Sequence, residues 1–147
     1  MQRLFVLWGL MLAVTLGWTQ LGLAQATSAL AEGQQKAAAG DIKGALDIYE
    51  ALTRSHPESY EAFAHLGGMQ LLDQRYADAV HSFQRAVSLG DTQAAPFVGM
   101  GMAYLHMGQF GAARAAFVEA KARGTANTAD IDGIIAWIDT RDDPDPQ

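Results

Sequence analysis

The chain of 147 residues contains no cysteine, which excludes a disulfide framework, a thiolate nucleophile, thiolate-ligated zinc or clusters, and a lipidated cysteine. It is also short of bases: ten Lys and Arg stand against sixteen Asp and Glu, a formal net charge of −6. Phosphate contacts need clustered Lys and Arg, so a chain without a basic stripe is not a nucleic-acid binder. Histidine occurs at 56, 65, 81 and 106 only, and no pair has the His-x-x-x-His or Glu-x-x-His spacing that places metal ligands on one helix. Serines are few, and no Gly-x-Ser-x-Gly elbow is present. Gly99-x-Gly101 follows no strand, so a dinucleotide loop fails on context. An enzyme is therefore disfavoured, and no cofactor is expected. What remains is 50% apolar and 18% charged, the composition of a folded chain with room for one domain or a few stacked repeats.

The first 26 residues distort that balance. Leu4 to Trp18 is apolar and small with Thr15 as its only hydroxyl, Arg3 precedes it, and no further charge occurs before Glu32. A positive start, an apolar stretch and then Ala24-Gln25-Ala26 have the layout of a secretory signal peptide cleaved after Ala26. The alternative is an uncleaved membrane anchor. Leu4 to Ala24 is free of charge and just long enough to span a bilayer, although Thr19 and Gln20 interrupt its second half. In both cases Arg3 stays on the cytoplasmic side, and the expected location of the rest is the periplasm or an equivalent lumen.

The remainder repeats every 34 residues. Gly33, Gly67 and Gly101 keep that spacing, as do Ala45, Ala79 and Ala113, then Tyr49, Phe83 and Phe117, then Leu52, Ala86 and Ala120. Gly40, Gln74 and Gly108 form a further column, followed two residues later by Ile42, Tyr76 and Phe110; Ala29, Phe63 and Phe97 form another. Seven columns in one frame without insertion mark a repeat architecture. Within a repeat the small residue, the aromatic and the next small or apolar residue stand at i, i+4 and i+7, one face of a helix. Ala39-Gly40-Asp41, Asp73-Gln74-Arg75 and Met107-Gly108-Gln109 read as the turns before these helices. Glycine at 33, 67 and 101 falls inside the preceding helix, where it costs about 1 kcal/mol relative to alanine. Close approach of a neighbouring helix is the expected reason, with the alanines at 45, 79 and 113 facing the glycines and the aromatic filling the adjacent space. Ile131, Ile134, Ile135 and Ile138 have helical spacing, with Trp137 beside them.

These columns resemble three consecutive tetratricopeptide repeats over residues 26–127. Repeat two carries Phe63, Leu66-Gly67, Ala79, Phe83 and Ala86 of the family pattern but has Gln70 where Tyr is usual; repeat three carries Phe97, Met100-Gly101, Tyr104, Ala113, Phe117 and Ala120. Repeat one keeps Gly33, Ala45, Tyr49, Leu52 and Pro57, with Ala29, Glu32 and Lys36 as departures. The expected organisation is a signal or anchor helix over 1–26, repeats over 26–59, 60–93 and 94–127, a capping helix over 128–140 and an acidic flexible tail over 141–147. The expected fold is all-α, a right-handed superhelix of three helix-turn-helix repeats closed by the capping helix.

The resemblance implies binding in a concave face lined by the first helix of each pair. The family's groove positions fall on Leu30 and Gln34, on Glu61, Ala64, Gly68, Leu71 and Leu72, and on Val98, Met102, Leu105 and His106, with Thr27, Ala37, Ala38 and Ala95 in the same registers. The Lys and Asn clamp by which chaperone-binding members hold a peptide carboxylate is absent, because those sites carry Leu30, Gln34, Gly68 and Met102. Such a lining suits an extended apolar peptide or an amphipathic helix; the competing reading is that Leu71, Leu72 and Leu105 pack between repeats. The expected function is a non-catalytic protein interaction or assembly module outside the cytoplasm. Its alternative is a membrane-anchored assembly factor or a subunit of a membrane complex. The implied partner is a protein or peptide, self-association is open, and contact with a membrane runs through the N-terminal segment only.

Overall fold

A computed structural model describes residues 25–126 and 128–142. Residues 1–24 of the expected export segment and 143–147 of the expected tail lie outside the described residues.

Among the described residues seven helices follow one another, and the fold is all-α. They are α1 (25–38), α2 (Ile42–Ser55), α3 (Tyr60–Leu72), α4 (Tyr76–Ser88), α5 (Ala95–His106), α6 (Phe110–Ala122) and α7 (Thr128–Asp142). Helices α2 to α7 each pack on the next, α1 meets α2 where Gly33 faces Tyr49, and α3 also meets α5, as stacked helix-turn-helix repeats require. Local chemistry sets the boundaries. The Asp41 carboxylate accepts the Gly44 amide at 2.9 Å and caps α2, and the Ser59 hydroxyl accepts the Ala62 amide at 3.2 Å and caps α3. The turns within the pairs reverse through a left-handed residue of one register, Gly40 (φ 79°), Gln74 (φ 64°) and Gly108 (φ 71°).

The core follows the 34-residue columns. Ala45, Ala79 and Ala113 are fully buried, and Tyr49, Phe83 and Phe117 are buried beside them, each aromatic worth about 1.5–3 kcal/mol in burial. The aromatic ring, rather than the alanine, is what the helical glycines admit. A Cβ at Gly33 would lie 2.7 Å from Tyr49, one at Gly67 2.9 Å from Phe83, and one at Gly101 2.7 Å from Phe117. The departure at Gln70 is also accounted for: buried, its amide oxygen accepts the Ser82 hydroxyl at 2.7 Å across α3 and α4.

Helix α7 packs on α6 through Ile131 and Ile138, which join Ala113, Phe117 and Ala120 in one cluster. Two exposed ion pairs, Arg114 to Asp139 at 2.6 Å and Lys121 to Asp132, lie along the same contact, each worth at most about 1 kcal/mol. The helix continues through Arg141 and Asp142, past the expected end at Thr140, and the Arg141 guanidinium sits 4.2 Å from the Trp137 ring. Arg141 therefore belongs to the helix and not to a tail.

Candidate functional site

The first helix of each pair contributes one side of a common face, and the residues expected there divide into two groups. Leu30 packs against the Ala45, Leu46, Tyr49 and Leu66 cluster; Leu71 packs against Ala79, Phe83 and Met100; Val98, Met102 and Leu105 pack against the Phe117 and Ile138 cluster. These five are partly buried and serve the contacts between helices. Gln34, Glu61, Leu72 and His106 are exposed, with Leu72 at 62%, while Ala64 and Gly68 are half-buried. Of the leucines expected to pack between repeats, Leu71 and Leu105 do so and Leu72 does not.

Helices α3 and α5 leave a pocket of about 360 Å³ between them. Its lining includes Glu61, Ala64 and Gly68 from α3, Ala95 and Pro96 from α5, and the Phe83 ring. A Cβ built at Gly68 would meet nothing within 4 Å, so the backbone there is open to a close approach. A second pocket of about 520 Å³ lies between α5 and α7, bordered by Leu105, Gly133, Ile134 and Trp137. Trp137 is 42% exposed, edge-on to Phe110 with ring centroids 5.7 Å apart. It thus both packs and presents a surface.

The polar rim of the α3–α5 pocket is formed by Tyr60, Glu61, His65, Asp91 and Gln93. The His65 ring stacks on Tyr49 at 5.2 Å and shares a 3.2 Å hydrogen bond with the Gln34 amide nitrogen. Burial holds the His65 pKa below its ordinary value, against the opposing pull of Glu61. The hydrogen bond from the Tyr60 hydroxyl to Glu61 raises the phenol's pKa. Asp91 is 4% exposed, and one carboxylate oxygen, Oδ1, accepts the Gln93 amide at 2.9 Å. His106, exposed on α5, stacks on Tyr76 at 4.7 Å.

Tyr60, His65, Asp91 and Gln93 are the rim residues that repeat spacing did not select. Asp91 lies in the turn between α4 and α5, outside the helical columns. His65 occupies a register in which repeat three carries Gly99 and the capping helix Gly133, and that break in the column is the signal available in the sequence. No three His, Asp or Glu side chains among the described residues gather to hold a metal ion. No helix among them is long and apolar enough to cross a membrane.

The sequence matches the family model described as tetratricopeptide repeat over residues 23–97. Among curated proteins none matches it. Several solved structures share the fold. The Yersinia enterocolitica type III secretion chaperone SycD, in complex with a peptide of the translocator YopD, is 13% identical, with a TM-score of 0.74 covering 80% of this chain and 94% of that one. A type III secretion complex from Aeromonas hydrophila is 16% identical, with a TM-score of 0.76 over 82% and 85% of the respective chains. The yeast Sti1 TPR2B domain with pHsp70 is 13% identical, with a TM-score of 0.72 over 79% and 97%. At these identities the likeness concerns the fold alone.

Proposed function

This chain belongs to the tetratricopeptide repeat family, and from that premise we propose that it is a non-catalytic interaction module that captures a peptide segment or helix of a partner protein on the face formed by α1, α3 and α5. The observation that carries the reading is the open α3–α5 pocket, floored by Ala64, Gly68, Phe83, Ala95 and Pro96. Small residues at its centre admit a main chain, and the exposed Leu72 offers an apolar anchor at the end of α3. The peptide complexes of SycD and of the Sti1 domain are precedents for this use of the fold.

Gly68→Leu tests the reading, because the fold has space for a side chain there and the pocket would then be filled. Helical content is expected to stay intact while capture of partner segments from a membrane extract falls about tenfold. A folded Gly68→Leu protein that captures as well as wild type would remove this face as the binding surface.

The proposed setting is outside the cytoplasm, as an assembly factor for envelope or membrane complexes. The charge-free stretch from Leu4 to Ala24 supports export, and its length also supports the second reading, in which the segment remains as an anchor. N-terminal sequencing of the purified protein separates the two: a start at Thr27 removes the anchor, and an intact Met1 supports it.

A further inference from the structure

The α3–α5 pocket has a one-sided electrostatic character. No residue lining it is Lys or Arg, while Glu61 and Asp91 both are acids, one on the α3 rim and one in the turn before α5. The bases that reach the flanking loops are engaged elsewhere. Arg123 donates to Glu119 at 2.7 Å and to the Thr92 carbonyl at 3.3 Å and lies 4.2 Å from the Phe97 ring, and Arg85 lies over Phe63.

Asp91 is the stronger of the two observations. Asp91 lines the pocket and is 4% exposed; its Oδ1 accepts the Gln93 amide, and its Oδ2, which meets no donor among the described residues, is not sealed from solvent. A carboxylate so placed keeps one oxygen for water or for a donor that enters the pocket. A guanidinium or ammonium entering the pocket would give that oxygen a charge-assisted donor in place of water, with Glu61 completing the charge balance at the rim. The volume of about 360 Å³ suits one long side chain, and the apolar floor suits its methylene stem.

We infer that the segment this face takes carries an arginine or lysine flanked by small apolar residues, the basic side chain seated between Asp91 and Glu61. The inference rests on the peptide-capture reading above and specifies its partner. The charge preference is opposite to that of the Lys and Asn clamp that grips a peptide carboxylate.

The test uses the full chain and fluorescently labelled alanine-leucine peptides that differ only at a central residue, arginine, norleucine or glutamate. The arginine peptide is expected to bind on the order of tenfold more tightly than the norleucine peptide, with the advantage shrinking at high salt and the glutamate peptide weakest. Asp91→Asn, with helical content checked, is expected to bring the ratio of arginine-peptide to norleucine-peptide affinity down to about one. Glu61→Gln, at an exposed site that does not hold the fold together, is expected to reduce it. Equal binding of all three peptides to wild type, abolished by Gly68→Leu, would overturn the basic-residue inference and leave the capture face standing. Absence of binding by every peptide, or binding indifferent to Gly68→Leu, would overturn both.

Discussion

Tyr49 and Phe83 occupy the same register of successive repeats and are held in different ways. Phe83 lies between two glycines, Gly67 of its own pair and Gly99 of the next, and at both a Cβ would run into the ring. Tyr49 meets glycine on one side only, at Gly33, and on the other stacks against His65, itself tied to Gln34. The middle seam is thus sealed by backbone against ring, and α4 packs more closely on α5 than α2 does on α3. The first seam is closed by a polar ring that keeps part of its surface in water. One repeat pattern therefore yields a dry, close junction and a titratable one, depending on whether glycine or histidine stands at the position shared by residues 65 and 99.

The largest expected effect comes from making the middle seam resemble an ordinary helix contact. Gly99→Ala gains about 1 kcal/mol of helix propensity but places a methyl group against a Phe83 ring already backed by Gly67, where overpacking costs about 1–3 kcal/mol. Because a Cβ at Gly99 would lie 2.4 Å from the ring, the overpacking cost falls in the upper part of that range, about 2–3 kcal/mol, and a net loss of about 1–2 kcal/mol is expected in urea unfolding. His65→Ala, at the equivalent place in the first seam, is expected to cost less, because the ring there is only partly withdrawn from water. If the two substitutions prove equal, the contrast between the seams carries no energetic weight.

How much of this was legible in the sequence depends on whether a residue answers to its own repeat or to a neighbour. The glycine, alanine and aromatic columns were readable because each pair solves the same packing problem, so the 34-residue period and the all-α stack followed from spacing. The division of the binding face was not readable. Helices α3 and α5 are apolar on most sides, and the helical period cannot tell Leu71, which packs on Phe83, from Leu72, which stands in solvent. Val98, Met102 and Leu105 were drawn into packing for the same reason. The partner of His65 was hidden because Tyr49 sits in the preceding repeat, and Asp91 because turns carry no periodicity. Gln70 looked like a lapse from the family pattern until Ser82 supplied its hydrogen bond.

A smaller effect is expected at the turn of the middle pair, where the comparison reverses. The first pair turns through Gly40, whereas the middle pair, otherwise the better packed, forces Gln74 into the left-handed region at φ 64°. That conformation costs a side chain about 1–2 kcal/mol, partly offset in a glycine variant by the greater freedom of its unfolded chain. Gln74→Gly should therefore stabilise the protein by about 0.5–1 kcal/mol in urea unfolding. A loss of stability would mean that the exposed Gln74 side chain makes up for its backbone in a way the turn geometry does not reveal.

The smallest effect, and the one that separates the seams most cleanly, is the response to acid. Burial lowers the folded-state pKa of His65, so between that value and the unfolded value of about 6.5 the unfolded chain binds more protons than the folded one. Stability from this group is complete above about pH 6.5 and is lost as pH falls through the folded-state pKa. The charges facing the ring do not reverse this sign: Glu61 on α3 favours the imidazolium and only partly offsets burial, while α1 presents the neutral Gln34 and α2 the neutral Tyr49. His65→Phe keeps a ring against Tyr49 and removes the proton site, leaving His56, His81 and His106 as they were. The urea midpoint of wild type is expected to fall more than that of His65→Phe between about pH 7.5 and 5.5. Equal slopes for the two proteins would show that the first seam does not titrate, and that histidine and glycine at this register differ only in shape.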